Sequence, residues 1–303
     1  MKRSLQTRKL SLEQLETRRV FAGSVDVSVD DFGDLIISGD DAANGVQIFQ
    51  AMQNGQPLRG SYRVVGTFAG GAPTTITGQQ SPSGVTDDIQ INLRGGNDRL
   101  VTSTVNLLVA DDLNVDLGEG NNVASLDRLR VSHNVNIDSG SGDDNIFVRG
   151  SIGIAAHPDS DLRINTRGGA DGVFLQNLFV RDDLNINTGL GQFRDRVEFF
   201  TGNVGDDVSI NTFDGNDSVV VSGVGINDDL TVQTGSGRDT FAIDNSQVDE
   251  LYAYLGSGDD HVEISSTFGR NVILYGQSGA DTIVDPNESL NVSGLYIKDS
   301  FLP

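Results

Sequence analysis

Acidic residues recur at one position of a Gly-rich turn through the last two-thirds of this chain. Two of the turns read Gly-Ser-Gly-Arg-Asp at 235–239 and Gly-Ser-Gly-Asp-Asp at 256–260. If such turns stack, their carboxylates and carbonyls supply the oxygen ligands that calcium prefers. The candidate metal ligands are Asp98, Asp144, Asp171, Asp217, Asp239, Asp260 and Asp281.

Hydrogen bonding to the backbone is the alternative role for this column. Asp and Asn in Gly-rich turns accept hydrogen bonds from the backbone two residues on, and they need no metal to do so. Asn122 occupies the column without a charge, which favours this interpretation, and Asp195 joins the column after a two-residue insertion. The two roles can coexist.

A second acidic column precedes the first strand of each repeat. Stacked carboxylates about 4.8 Å apart repel each other by about 0.9 kcal/mol per pair in water and about 3.5 kcal/mol at an effective dielectric of about 20. Cations or hydrogen-bond donors must therefore offset the repulsion. The members are Asp88, Asp112, Asp161, Asp183, Asp207, Asp229 and Glu250, with Asn134 and Asn271 as uncharged exceptions.

A repeat of about 23 residues positions these turns, and its period is typical of solenoids. Each of its nine copies alternates apolar and polar residues on both sides of the turn, which is a strand pattern. The copies align on the last glycine of the turn: Gly96, Gly120, Gly142, Gly169, Gly191, Gly215, Gly237, Gly258 and Gly279.

Two aliphatic positions, two residues apart, recur before each turn. In a strand these residues share one face, so stacked coils would form two apolar ladders inside the rod. We therefore predict an all-β fold, a single elongated parallel β-helix of nine to ten coils with end caps. It is expected to be right-handed, as such crossovers overwhelmingly are. The first ladder is Ile89, Leu113, Val135, Leu162, Leu184, Val208, Leu230, Leu251 and Val272; the second is Ile91, Val115, Ile137, Ile164, Ile186, Ile210, Val232, Ala253 and Leu274.

Four segments follow from this pattern. Residues 1–23 form a basic N-terminal segment, and 24–86 a degenerate first coil with a capping hairpin. Residues 87–284 contain the solenoid repeats, and 285–303 form a C-terminal cap in which Leu295-Tyr296-Ile297 is expected to lie outside the repeat register.

Tyrosines replace the outward polar residues near the C-terminal end. Tyr252, Tyr254 and Tyr275 predict an apolar patch on the flank of the rod. Such a patch marks an interface or a surface that something covers. The C-terminal segment is the favoured cover, and a sugar- or protein-binding platform is the alternative.

Composition limits the partners. The chain has 43 acidic and 21 basic residues, a net charge of −22, and no cysteine or tryptophan. This charge disfavours nucleic acid and anionic lipid and favours cations. No apolar stretch reaches the 18 residues of a membrane-spanning helix. His133, His157 and His261 lie in unrelated registers and are interpreted as surface residues.

The N-terminal segment contains Leu12-Glu13-Gln14-Leu15-Glu16-Thr17-Arg18-Arg19-Val20-Phe21-Ala22. This run resembles the LEPR-XLL type of segment that begins many large bacterial surface and extracellular repeat proteins. Gln14 stands where that family has Pro, and Val20-Phe21 where it has Leu-Leu. The resemblance implies export to the cell surface or the extracellular space.

The turns also resemble half of the Gly-Gly-x-Gly-x-Asp nonapeptide of RTX calcium-binding β-rolls, which hold calcium between coils. RTX repeats recur every nine residues on both sides of the roll. Here one turn recurs every 21 to 27 residues, so only one side could carry ions.

Two functions fit these features. The favoured one is a non-catalytic, exported structural or adhesive module of a bacterial surface or matrix, with calcium, surface polysaccharide or other matrix proteins as partners. The alternative is a carbohydrate-active β-helix enzyme or glycan-binding protein. Arg163, Arg167 and Arg194 could mimic the basic residues of a polysaccharide lyase. The lack of tryptophan and the presence of only three lysines disfavour catalysis.

Overall fold

The chain forms an all-β solenoid. A computed structural model describes residues 23–69, 73–102, 105–285, 291–298 and 301–302. These residues build about nine turns of stacked parallel strands, with about 22 residues per turn and no helix among them. The predicted fold class is confirmed. The sorting-type resemblance at 12–22 lies outside the described residues.

The strands form two sheets of 13 strands that run along the rod. Sheet A contains β1 (Ser24–Val29), β2 (Leu35–Ser38), β5 (Thr75–Gly78), β6 (Ile89–Asn92), β9 (Leu113–Asp116), β11 (Val135–Asp138), β13 (Leu162–Asn165), β15 (Leu184–Asn187), β17 (Val208–Asn211), β19 (Asp229–Gln233), β21 (Glu250–Tyr254), β23 (Phe268–Tyr275) and β25 (Asn291–Lys298). Sheet B contains β3 (Gly45–Gln53), β4 (Gln56–Gly66), β7 (Arg99–Thr102), β8 (Leu107–Val109), β10 (Val123–Val131), β12 (Asn145–Ile152), β14 (Gly172–Val180), β16 (Arg196–Val204), β18 (Ser218–Ile226), β20 (Thr240–Asp244), β22 (His261–Ser265), β24 (Asp281–Val284) and β26 (Phe301–Leu302).

Each repeating coil runs from a sheet A strand through the Gly-rich turn into a sheet B strand, and then around a corner to the next coil. The long sheet B strands bend in the middle, at residues with positive φ such as Arg128 (φ 56°), Asn177 (φ 49°) and Thr201 (φ 54°). The middle coils therefore have three straight segments. These coils place the Gly-rich turns on one edge of the rod and the corners on another.

The core consists of the two predicted apolar ladders and their sheet B counterparts. Every ladder residue named above is at most 3% exposed. Within the ladders, residues of successive coils lie directly opposite each other, as Ile186 does with Ile210. The alternation of side chains across a strand makes this inevitable once the coils stack in register.

The last glycine of each turn is required by the stacking itself. Gly237 has a φ of 143°, and a Cβ added there would lie 1.4 Å from the carbonyl oxygen of Gly215 in the preceding coil. No side chain fits between two backbones at this distance, and an L-residue is strained at this φ. The glycine column thus keeps the turns in close contact.

The two ends of the rod differ. At the N-terminal end, β3 and β4 form an antiparallel hairpin closed by Asn54 and Gly55, which have φ values of 51° and 77° as a tight hairpin turn requires. At the C-terminal end, β25 pairs in parallel with β23, and Leu295 lies opposite Val272. The expectation that residues 295–297 lie outside the repeat register is therefore wrong. β25 continues sheet A in register as the strand of a further coil.

Candidate functional site: stacked acidic columns

The turn aspartates lie inside the rod in one continuous row, here called the buried Asx column. Every member is at most 3% exposed. The structure thus brings all the predicted metal ligands into a single stack, and it extends the stack upstream into the degenerate first coil. The members are Asn44, Asp98, Asn122, Asp144, Asp171, Asp195, Asp217, Asp239, Asp260 and Asp281.

Each member is bonded to the backbone of its neighbour. The N–H of Asp217 donates to Oδ1 of Asp239 at 2.8 Å, and the N–H of Asp239 donates to Oδ1 of Asp260 at 2.9 Å. The same bond joins every successive pair at 2.6–2.9 Å, always from one coil to the next toward the C-terminus. These side chains therefore link coils and do not bond the backbone two residues on. A bond to the backbone N–H two residues on, which closes an Asx turn, is made instead by residues at the ends of sheet A strands: Asp116, Asn187 and Asn211.

The second carboxylate oxygens of the column have few donors. Thr166 Oγ1 donates to Oδ2 of Asp171 at 2.6 Å, and Thr188 Oγ1 donates to Oδ2 of Asp195 at 2.5 Å. Five other Oδ2 atoms are buried and accept no hydrogen bond from the described residues. They belong to Asp98, Asp144, Asp217, Asp239 and Asp260.

Asn122 indicates what these positions require. Its Nδ2 donates to the carbonyl oxygens of Gly118 and Gly120, both at 2.9 Å. A protonated carboxyl group carries one donor and can make such a bond, whereas a carboxylate cannot. At this position a neutral side chain therefore satisfies the turn carbonyls, which an ionised carboxylate could not do.

Burial raises the pKa of seven of these aspartates, Asp98 to Asp260, above the ordinary Asp value, although the backbone donors act in the opposite direction. The pKa values rise to about 7 for Asp98, Asp171 and Asp239, and to about 6 for Asp144, Asp217 and Asp260. Near neutral pH the column can thus gain or lose several protons.

Hydroxyl residues lie beside the middle of the column, and two of them, Thr166 and Thr188, donate to it; the sequence reasoning missed them. They replace leucine at the inner position that follows the second apolar ladder. Leu117 occupies this position in one coil and Leu255 in another, whereas Thr188 places a hydroxyl there beside the aspartate. The signal was present in the sequence as a run of Ser and Thr in one register: Ser139, Thr166, Thr188, Thr212 and Thr234.

The second acidic row, here called the outer acidic column, lies where the chain enters each sheet A strand. It is also bonded to the backbone, but in the opposite direction. The N–H of Asp112 donates back to Oδ1 of Asp88 at 3.0 Å, and the N–H of Asp229 donates back to Oδ1 of Asp207 at 3.0 Å. Its side chains remain partly exposed to solvent. The structure extends the column to Asp34, Asp88, Asp112, Asn134, Asp161, Asp183, Asp207, Asp229, Glu250 and Asn271.

Groups of carboxylates that could hold a metal ion occur along this outer column. In each group the oxygens lie within 4.8 Å of one another. Desolvation by the surrounding protein, and then repulsion between carboxylates, raises the pKa of Asp182 and of Asp206. The groups are Asp34/Asp87/Asp88, Asp182/Asp183/Asp206 and Asp206/Asp207/Asp228; among the described residues, none includes a member of the buried Asx column.

The tyrosine patch forms as predicted on sheet A. The rings of Tyr254 and Tyr275 stack with centroids 4.8 Å apart and planes at 5°. Tyr252 lies on the same face and donates to Glu250, which raises the pKa of Tyr252 to about 12. In backbone register, Lys298 follows Tyr275, so β25 extends this face as the next strand.

A second aromatic cluster lies on the outer face of sheet B, which the sequence reasoning did not examine. Phe147 and Phe174 stack with centroids 4.8 Å apart, and Phe200 is 37% exposed beside them. Arg149 donates to Gln176 across the same groove, whose volume is about 340 Å³. Here apolar and charged side chains converge at one irregular place on the rod.

The histidines are not scattered as expected. His133 and His157 have ring centroids 4.9 Å apart, and both lie near Asp111. Their registers differ, as the sequence indicates, but the loop that carries His157 brings the two rings together. His261 lies elsewhere, on sheet B, with Nδ1 2.8 Å from Thr282 Oγ1.

Comparison with known proteins gives no match to this chain, whether among family models, curated proteins or solved structures. A search of the described residues for a helix long and apolar enough to span a membrane found none.

Proposed function

We propose that this protein is a non-catalytic structural module, exported to a bacterial cell surface or extracellular matrix. The buried Asx column supports this proposal most strongly. Its nine side-chain bonds join every coil from Asn44 to Asp281. Such uniformity favours a continuous rod, because an active site requires a local departure from the repeat.

The surface charge fits this role. With a net charge of −22, the rod attracts cations and repels polyanions. Surface polysaccharides or other matrix proteins would then bind through cations or through the aromatic patches. The same negative charge makes nucleic acid and anionic lipid poor partners.

Export is tested through the N-terminal segment. We expect a C-terminally tagged chain, expressed in a bacterium that sorts LEPR-XLL proteins, to accumulate at the surface or in the medium. Alanine at Leu12, Leu15 and Arg18 should retain it inside the cell. The matched control is alanine at Lys2 and Arg3, which removes charge but leaves the resembling run intact. Equal distribution of both variants would contradict an export role for this run.

Calcium is the cation that we propose for the outer acidic column. Asp206 belongs to two of the three carboxylate groups there, and its side chain is exposed to solvent. An ion bound only by the folded rod stabilises it by mass action. Millimolar calcium should therefore raise the melting temperature more than sodium chloride of equal ionic strength does.

Two variants locate the ion. Asp206→Asn should reduce the calcium-specific rise, whereas Asp239→Asn with Asp260→Asn should leave it unchanged. The reverse result would place calcium in the buried Asx column. Identical melting in both salts would exclude stabilisation by calcium at either column.

Glycan binding is the second candidate, favoured by the groove on sheet B. Stacked aromatic rings beside hydrogen-bonding side chains suit the apolar faces and hydroxyl groups of a sugar. Glu198, Arg149 and Gln176 line the groove together with Phe147 and Phe174.

Oligosaccharide binding to the purified chain tests this candidate. We expect Phe174→Ser to abolish any binding, and the control Phe32→Ser, at a residue 82% exposed elsewhere, to preserve it. Binding that survives Phe174→Ser would exclude this groove. The tyrosine patch would then be tested in the same way with Tyr275→Ser.

A further inference from the structure

Two imidazole rings and a carboxylate meet at one corner between sheet B and sheet A. Asp111, His133 and His157 come from three successive coils. One candidate ligand atom from each side chain lies within 4.8 Å of the others, and all three residues are partly buried. This is the only such group with histidine among the described residues.

An insertion builds this corner. The coil that carries His157 is 27 residues long between Asp144 and Asp171, whereas the other coils from Asp98 to Asp281 measure 21 to 24 residues between equivalent positions. The extra loop is ordered by its own bonds: the N–H of His157 donates to Ile154 O at 2.9 Å, and Ser160 Oγ donates to His157 O at 2.8 Å. The extra residues leave the strand register unchanged and hold a second imidazole over the first.

An ordinary ion pair explains only part of this geometry. His133 Nδ1 lies 2.9 Å from Asp112 Oδ1, which already accepts the N–H of Asn134 at 2.8 Å. Asp111 Oδ1 lies 3.3 Å from the same nitrogen, yet it is buried and accepts no hydrogen bond from the described residues. A pair between His133 and Asp112 accounts neither for this oxygen nor for the second ring.

We propose that Asp111, His133 and His157 bind one divalent transition-metal ion, with Zn²⁺ as the fitting species. Two imidazoles and one carboxylate form a three-residue ligand set that zinc accepts, with water in the remaining position. Calcium prefers oxygen ligands and does not favour imidazole nitrogen. The site therefore differs in its ligand chemistry from the all-carboxylate groups of the outer acidic column. The proposal does not depend on the proposed structural function.

Zinc titration of the full chain tests this site. In a buffer that contains calcium to occupy the outer acidic column, isothermal titration calorimetry should detect one Zn²⁺ per chain. His157→Gln and Asp111→Asn should each weaken zinc binding by at least about tenfold. Removing even an outer-shell partner of a metal ligand typically weakens binding by that factor. His261→Gln is the matched control and should bind as the unaltered chain does. Absence of binding, or equal binding in all three variants, would overturn the proposal.

A measurement on the unaltered chain covers the case in which a variant fails to fold. Imidazole ¹⁵N resonances of His133 and His157 should both shift on addition of one equivalent of Zn²⁺, and those of His261 should not. Shifts at His133 alone, or at none of the three, would show that the corner is only an ion pair.

Discussion

The buried Asx column and the outer acidic column use the same residue type in two opposite ways. Both stack carboxyl groups coil upon coil, and both use Oδ1 to accept a backbone N–H from a neighbouring coil. The buried column bonds toward the C-terminus and is shielded from water, whereas the outer column bonds toward the N-terminus and is partly exposed. Their environments give the two columns different chemistry. Burial favours the protonated form of the inner carboxyl groups, whereas solvent exposure lets the outer carboxylates attract solvated cations.

The comparison also shows why stacked acids need not destabilise the rod. A backbone N–H directed at Oδ1 of the stacked aspartates supplies local positive charge, and such a bond is strong when the carboxyl group is ionised. An aspartate in the interior without this donor has no such support. Four changes test this contrast, and the first introduces an unsupported carboxylate.

Ile210→Asp should have the largest effect. Ile210 lies in the inner ladder, 1% exposed, between Ile186 and Val232 of the neighbouring coils. The buried charge should cost at least about 4 kcal/mol and unfold the rod. Asn211→Asp is the matched control, because its Oδ1 can still accept the N–H of Phe213. Circular dichroism in urea measures both, and equal damage would mean that the inner and outer faces are wrongly assigned.

The pH dependence of stability should be the next largest effect. Because the folded pKa values of six buried-column aspartates rise to about 6 or 7, above the unfolded value of about 3.9, folding takes up protons between about pH 4 and 7. This contribution is complete below about pH 4 and is lost as the pH rises through 6 and 7. For each aspartate that is protonated only in the folded state, the free energy of unfolding falls by about 1.4 kcal/mol per unit rise in pH. The free energy of unfolding, measured in urea from pH 4 to 8, should therefore fall; a rise would mean that the column is ionised when folded.

Asp239→Asn should stabilise the rod at pH 8 by about 1 to 3 kcal/mol and flatten part of the pH dependence. The amide keeps Oδ1 for the N–H of Asp217, and its NH₂ can donate to turn carbonyls as Asn122 does. Asp229→Asn in the outer column is the control, with little expected change. Destabilisation by Asp239→Asn at pH 8 would indicate that this carboxylate binds a cation.

Tyr254→Gln should have the smallest effect. It replaces the stacked tyrosine by the residue that the preceding coil carries, Gln233, and it leaves the acidic columns untouched. Loss of the stack with Tyr275 should cost about 0.5 to 1.5 kcal/mol in urea unfolding. A larger loss would mean that the patch also holds β25 in place.

The sequence predicted the solenoid because one pattern recurs in every copy. Alternation identifies the inward residues of a strand, and stacking in register follows from Ile186, Ile210 and their counterparts. The aspartate columns were also visible, since Gly and Asp keep a fixed spacing in the turns. Residue identity alone does not reveal whether a carboxyl group is protonated or which coil its oxygen faces, so the chemistry of the buried column required coordinates.

The failures have specific physical reasons. Leu295 follows Val272 at about the repeat period, but no Gly-Asp turn follows it, and the sequence pattern therefore places the segment outside the register. His157 lies in an insertion, so counting residues separates it from His133 although the loop returns it to the same corner. The groove at Phe147 lies on sheet B, whose outward residues vary from coil to coil and form no recurring column.

The corner that carries the insertion has an evolutionary consequence. Five or so extra residues enter the chain there, yet Val135 still pairs with Leu162 and Asp144 still bonds to Asp171. The length and sequence of that loop can therefore change without changes elsewhere in the rod. Gly237 has no such freedom, because even one added methyl group collides with the backbone of the neighbouring coil. For protein engineering, a binding loop of chosen sequence can be inserted at this corner while the strand register of the rod stays the same.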